Sequence, residues 1–276
     1  MQLIRQWIKR NFARLVYCRQ KNSARKYELL KWLEQCERKS LAFLPDASFD
    51  IFTYHGEDGI ISFILQKLGS VPKTFVDIGA GDCIKSNCAA LATHFGWNGI
   101  FIDKDEKQLA IGKSFYKNIV KQGSEILFIN QEVNNRNVNN IISASGMKGK
   151  IGLLSIDIDG NDYWIWKTIA IIEPEVVVIE AKVEFGFRNV IVPYGPQNHH
   201  SADKKYNGAS VESLRLLGEK MGYKLVGSNK QGYNLFFVRQ NRNLRTAGTE
   251  EILRDPAVIK SFYPEIFFDE HKFLNE

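Results

Sequence analysis

The stretch TFVDIGAGDCIKSN, residues 74–87, reads as an apolar strand that ends on a carboxylate and runs straight into a turn with two glycines. Asp77, Gly79 and Gly81 occupy alternate positions, the pattern D-x-G-x-G. Small residues this close together at a strand exit let a backbone approach a ligand. On the N-terminal side, GEDGIISFILQKLG (56–69) places Ile60, Ile61, Ile64, Leu65 and Leu68 on one face of a helix.

Downstream, helical and strand patterns alternate. SNCAALATHFG predicts a helix ending at Gly96, GIFIDKD a strand, KQLAIGKSFYKN a helix and EILFINQEVN a strand. VNNIISASG predicts a short helix, IGLLSIDIDG a strand, NDYWIWKTIA a helix and EVVVIEAKVEFG a strand. The strands are continuous apolar runs, which suits a parallel sheet covered on both faces. Strands separated by short helices predict a doubly wound, Rossmann-like α/β domain. The chain then offers a helix, ASVESLRLLGEKMG (209–222), and two strands, YKLVG and YNLFFVR, joined across residues 228–232. That join is too short for a parallel crossover, so a seven-stranded sheet ending in an antiparallel hairpin is expected.

The expected organisation is an N-terminal helical arm and linker over 1–50, with Pro45 in the linker, a domain over 51–245, and a C-terminal helix and aromatic tail over 246–276 packed on that domain. In MQLIRQWIKRNFARLVYC, Ile4, Trp7, Ile8, Phe12, Leu15 and Val16 recur at helical spacing, with Arg5, Lys9, Arg10 and Arg14 on much of the other side. Such a helix suits contact with a membrane surface, or packing on the domain or another copy of the chain. No apolar run reaches the roughly 18 residues of a spanning helix. The N-terminus lacks the pattern of a secretory signal, which makes a cytoplasmic location, at most peripheral to a membrane, the expectation.

The net charge of +6 is uneven. Residues 1–40 carry eleven Lys/Arg against three Asp/Glu, a net of +8, which leaves −2 for residues 41–276. A nucleic-acid groove across the domain is therefore not expected. The four cysteines, at 18, 36, 83 and 88, form neither a metal-site spacing nor a disulfide framework, and read as reduced thiols. At Cys83, beside the glycine turn, small size explains the residue better than reactivity.

Two ligand classes use a glycine-rich first turn in such a sheet. Dinucleotides want G-x-G-x-x-G, and here the third glycine position is Ile84. Asp77 and Asp82 would also repel a pyrophosphate. A cationic nucleoside, S-adenosylmethionine, gains from the same carboxylates. Asp103, which ends the second strand, can accept both hydroxyls of a ribose, a feature that suits either ligand. Asn130, Gln131 and Glu132, at the end of the third strand, are candidates for adenine contacts.

D-x-G-x-G at 77–81, the acidic strand end at Asp103 and the terminal hairpin resemble class I S-adenosylmethionine-dependent methyltransferases. More narrowly, GEDGI, SIDIDGNDYW, VVVIEAKVEFG, VPY, YNGAS and GYNLFFVR resemble an FkbM-like branch, whose members often accompany polysaccharide or small-metabolite biosynthesis. The resemblance covers about residues 54–240. It implies that Asp77, Gly79 and Gly81 contact the methionine part of the cofactor, Asp103 its ribose and Glu57 its amino group. The family often has a small residue where Cys83 stands. The implied reaction is methyl transfer to an oxygen, less often a nitrogen, of a small acceptor such as a sugar, a lipid-linked intermediate or another metabolite. Two other readings stay open: an NAD-dependent sugar-modifying oxidoreductase, and a scaffold that binds the cofactor without turnover.

SIDIDGND puts Asp157, Asp159 and Asp162 at the end of the fourth strand, and Glu180 lies near the end of the fifth. Neighbouring strands lie about 4.8 Å apart, so Asp157 and Glu180 are expected to meet at the carboxyl edge. There they suit a divalent cation, or one of them suits the role of general base. No ligand spacing specifies a metal. Asp159 and Asp162 also fit caps for the helix starting near Tyr163. His199 and His200, in the polar loop after the fifth strand, are further candidates for the base, with His55 a third. Tyr163, Trp164 and Trp166 read as helix packing.

Overall fold

The computed structural model describes residues 24–39, 41–117, 119, 124–195, 206–265, 268 and 273–274. The predicted basic helix over residues 1–18, and His199 and His200, lie outside the described residues.

Seven strands form one sheet: β1 (Thr74–Ile78), β2 (Asn98–Asp103), β3 (Ile126–Asn130), β4 (Gly149–Ile156), β5 (Ile172–Glu180), β6 (Tyr223–Ser228) and β7 (Asn234–Arg239). Their order is β3-β2-β1-β4-β5-β7-β6. The first five pair in parallel, while β7 runs antiparallel to both β5 and β6. The doubly wound sheet with a terminal hairpin is thus the observed fold. The hairpin strands also exchange places, because β7 inserts between β5 and β6.

Alternation along each strand feeds two cores, one on each face. Val76, Ile78, Ile100, Ile102, Leu154, Ile156, Val177 and Ile179 join one. Phe75, Phe101, Leu153, Val176 and Val178 join the other. The first face is covered by α5 (Val138–Ala144), α6 (Asp162–Thr168) and α7 (Val211–Lys220); the second by α2 (Glu57–Leu68), α3 (Ala89–His94) and α4 (Glu106–Tyr116).

Helix α1 (24–39) is part of this second core. Its buried Leu29, Leu33 and Cys36, at three- and four-residue spacing, pack with Ile60, Ile64 and Leu91. Within the expected linker, Leu44–Ala47 form a 3-10 turn that buries Leu44 and Ala47. Near the C-terminus, α8 (Thr249–Ile252) and α9 (Pro256–Ile259) add Ile252, Leu253 and Val258 to the first core.

Several elements are shorter than their sequence patterns. α3 starts at Ala89 rather than near Ser86, and β3 stops at Asn130. In both places a side chain binds backbone groups at the end of the element, an amide at Ser86 and two carbonyls at Asn130. The Ser86 hydroxyl accepts from Cys88 N–H at 3.0 Å, and the Asn130 amide donates to Asp103 O and Lys104 O at 3.1 and 2.9 Å.

Candidate active site

Strand order reverses between β1 and β4, so their carboxyl ends part into a crevice there. Gly79 leaves β1 and Asp157 leaves β4 side by side, with Asp157 N–H donating to Ile78 O at 2.9 Å. A Cβ on Gly79 would lie 1.7 Å from Asp157 O. Gly79 is therefore glycine because two strand exits touch. Gly81 differs: its φ is +53°, and a Cβ there would meet no protein atom within 4 Å. The two glycines serve different ends, one the protein's own packing and one the open space beside the turn.

Two cavities share Gly79 and Asp157. The larger, about 420 Å³, is lined by Gly79, Gly81, Asp103, Glu132, Asp157 and Asp159 among others. The smaller, about 150 Å³, is lined by Thr53, Tyr54 and His55 from the loop before α2 and Glu57 at its start, by Asp77, Lys85, Ser86 and Asn87 from β1 and its turn, and by Ser155 and Asn234. Of the predicted cofactor residues, Gly81, Asp103 and Glu132 thus fall in the first cavity, Glu57 and Asp77 in the second, and Gly79 at the junction.

Asp103 builds the turn as well as facing it. One carboxylate oxygen accepts Gly81 N–H at 2.7 Å, the other Asp105 N–H at 2.7 Å. Each oxygen keeps a lone pair for a hydroxyl. Asp82 lines neither cavity; its Oδ1 accepts the amides of Ile84 and Lys85, each at 2.9 Å. It holds the loop together, and the carboxylate pair read beside the turn reduces to Asp77 alone. Cys83, at φ +58°, is fully buried, its sulfur against α4 where Gly112 leaves room. Burial pushes its thiol far up, so it is inert.

Asp77 follows Phe75 at period two and faces the α2–α3 side, where Ser86 Oγ donates to it. Burial pushes its carboxyl up to about 6, against the hydrogen bonds from Ser86, Ser155 and Cys88. Glu57 is buried at the start of α2. Its Oε1 accepts the side-chain amides of Asn229 and Asn234 at 2.8 and 3.0 Å, and its Oε2 accepts His55 N–H at 3.1 Å. Asn234 then leaves its own buried Oδ1 without a partner, beside the cavity it lines. An orphaned amide oxygen next to two carboxylates is a place for a cation with N–H donors. The loop above, residues 50–56, is pinned by two acids. Asp58 Oδ2 accepts the amides of Ile51, Phe52 and Thr53 at 2.7–2.9 Å, and Asp50 Oδ1 accepts Gly56 N–H at 2.6 Å.

At the carboxyl edge, Asp157 stands beside Glu180, and carboxylate oxygens of Asp157, Asp159 and Glu180 all lie within 4.8 Å of one another. The expected meeting of Asp157 and Glu180 is observed. Asp157 is reached by solvent yet hemmed in by protein. That desolvation, together with the charges of Asp162, Asp159 and Asp77, pushes its carboxyl up to about 7. Burial and Asp157 push Glu180 well above the carboxylate range. Burial opposes ionisation of Lys182, but Glu180, Glu184, Asp159 and Asp162 outweigh it and hold the amine above its usual value; its Nζ lies 3.6 Å from Glu180.

Asp162 does not cap α6. Its oxygens reach backward to Ile158 N–H and Gly160 N–H at 2.8 and 2.9 Å, because Asp159 at φ +59° curls the loop over it. Tyr163 and Trp166 are buried in the core, as packing predicts, while Trp164 is partly buried and donates to Val192 O at 3.0 Å.

Asn234, Ser155, Asn87, Tyr54 and Lys85 line the site without having been read from the sequence. Asn234 alone left a trace: it opens the second strand of the hairpin, and an antiparallel strand delivers its first residue to the carboxyl edge, where it registers with Glu180.

No protein-family model and no curated protein matches the chain. Among solved structures, it is similar to the magnesium protoporphyrin IX methyltransferase of Synechocystis PCC 6803 with bound S-adenosylmethionine, at 14% identity over 66% of this chain and 77% of that one, with a TM-score of 0.41. It is also similar to an S-adenosylmethionine-dependent methyltransferase from Aquifex aeolicus, at 11% identity, 65% and 88% coverage and a TM-score of 0.40. A third is a cyclopropane synthase from Mycobacterium tuberculosis, at 15% identity, 60% coverage of each chain and a TM-score of 0.38. Likeness at this level fixes neither ligand nor reaction.

Proposed function

We propose that this chain is an S-adenosylmethionine-dependent methyltransferase acting on an oxygen of a small polar acceptor. The observation that carries the reading is the pair of cavities meeting at Gly79 and Asp157, with carboxylates and an orphaned amide oxygen in one and the Asp103 carboxylate in the other. Asp103 would take the ribose hydroxyls, and Glu132 the adenine end of the larger cavity. Glu57, Asn234 Oδ1 and Asp77 suit the donor's ammonium. When bound, the donor supplies an electrophilic methyl carbon on a sulfonium.

Asp157 is the base in this reading. A carboxyl with its pKa near 7 is part ionised at neutral pH and still accepts a proton readily. Glu180, whose carboxyl burial and the Asp157 charge raise, stands beside it to orient the acceptor hydroxyl. The Lys182 ammonium, 3.6 Å from Glu180, offsets part of the negative charge at this edge. The FkbM-like resemblance makes a sugar the proposed acceptor class.

The amide donors of the turn count against the NAD alternative. The amides of Gly79 and Ala80 donate to Ile102 O, Gly81 to Asp103, Cys83 to Ala80 O, and Ile84 and Lys85 to Asp82. A pyrophosphate needs such amides free at a helix N-terminus, and α3 begins only at Ala89.

Calorimetric titration of the full chain with S-adenosylhomocysteine and with NAD tests the reading. Binding of the first without the second is expected; no binding of S-adenosylhomocysteine overturns it. Binding without methyl release to any of a panel of glycan and sugar-nucleotide acceptors would favour the scaffold.

A further inference from the structure

The smaller cavity has carboxylates from Glu57, Asp77 and Asp157, and Lys85 supplies its one Lys or Arg among the described lining residues. The amino-acid end of the proposed donor is a zwitterion, and the cluster of Glu57, Asn234 and Asp77 accounts only for its ammonium. Its carboxylate needs hydrogen-bond donors. The glycine turn offers few, because six of its amides, at Gly79, Ala80, Gly81, Cys83, Ile84 and Lys85, already donate within the protein. Neighbouring side chains are committed as well: Ser86 Oγ donates to Asp77, and the Asn87 amide donates to Ser155 Oγ at 3.1 Å.

We infer that Lys85, positioned by Tyr54, takes the carboxylate of the donor, so that the chain selects a donor with an intact amino-acid end. The assignment rests on the methyltransferase reading. Lys85 Nζ sits 5.1 Å from the centroid of the Tyr54 ring. Hydrogen bonding to the Tyr54 phenol holds its amine above the ordinary value. Tyr54 is carried by the loop that Asp50 and Asp58 pin, and the same loop leads into Glu57. One short segment therefore carries both Glu57 and the ring that positions Lys85. His55 is the other basic side chain lining the cavity, and its ring lies edge-on to Tyr233 at 6.1 Å.

The test is calorimetry on the full chain with S-adenosylmethionine and with its decarboxylated analogue, which lacks only this carboxylate. Wild type is expected to favour the intact donor by about tenfold, the scale of a hydrogen bond to a charged group. Lys85→Met should erase that preference by weakening the intact donor alone, Lys85→Arg should keep most of it, and His55→Ala should leave it unchanged. A Lys85→Met protein that retains the preference, or that loses both compounds equally, overturns the assignment. Equal wild-type affinity for the two compounds overturns it too, while the methyltransferase reading stands. Binding of neither compound by wild type sinks that reading and the assignment with it.

Discussion

A carboxylate at the exit of a buried strand, facing other carboxylates, keeps its proton to higher pH than one in water, and Asp157 is such a group. It must lose that proton to act as base, so turnover should rise with pH through about 7 and level off above. Asp157→Asn should remove this limb and slow turnover by roughly 10²- to 10⁴-fold, the usual worth of a general base. A pH–rate profile of the two proteins decides the point. If the limb survives in Asp157→Asn and vanishes in His199→Ala, the base is the histidine read from the sequence and Asp157 is not. At this scale the sequence placed Asp77, Asp103, Asp157 and Glu180 at strand ends, and the structure has the first three lining the two cavities and Glu180 beside Asp157. It was uninformative for Asp82 and Asp162, because a carboxylate serving its own loop looks the same in a string of letters as one serving a ligand.

At the scale of elements, the β1–turn–α3 unit separates two roles that D-x-G-x-G merges. Gly79→Ala would drive a methyl group into Asp157 O across the β1–β4 junction at a positive φ. Overpacking and left-handed strain together should cost about 3–5 kcal/mol, visible as a large fall in Tm. Gly81→Ala carries only the backbone strain, about 1–2 kcal/mol. Its methyl group projects toward the larger cavity, so donor affinity should drop by about tenfold or more. Thermal melts with and without S-adenosylhomocysteine distinguish the two. Equal loss of stability in both variants would contradict the division. The elements themselves were legible because buried parallel strands are long apolar runs; their ends were not, because Ser86 and Asn130 take backbone groups away from helix and strand.

At the scale of the whole molecule, the arm joins the domain from residue 24 onward. Leu29 is completely buried against α2 and α3. Leu29→Ala should destabilise the entire chain by about 2–5 kcal/mol, as a core leucine does. A single cooperative denaturant transition with a lowered midpoint is the expected result. An unchanged midpoint would mean that α1 does not contribute to domain stability. This packing was hard to see in sequence because the strong basic charge of residues 1–40 marks α1 as part of a leader, while its buried stripe is only three residues wide.

The sequence by itself determined the layered architecture, the strand count, the closing hairpin and the acidic exits of β1, β2, β4 and β5, because periodicity and strand-end residues are local properties. Tertiary structure alone decided that β7 inserts beside β5, that Asn234 reaches Glu57, that the turn amides are spent internally, and that Lys85 lines the same cavity as Glu57, Asp77 and Asp157. Those facts depend on where groups far apart in the chain arrive, on which hydrogen bonds are already taken, and on how much water is excluded around each charge. None of these is written in the order of the residues.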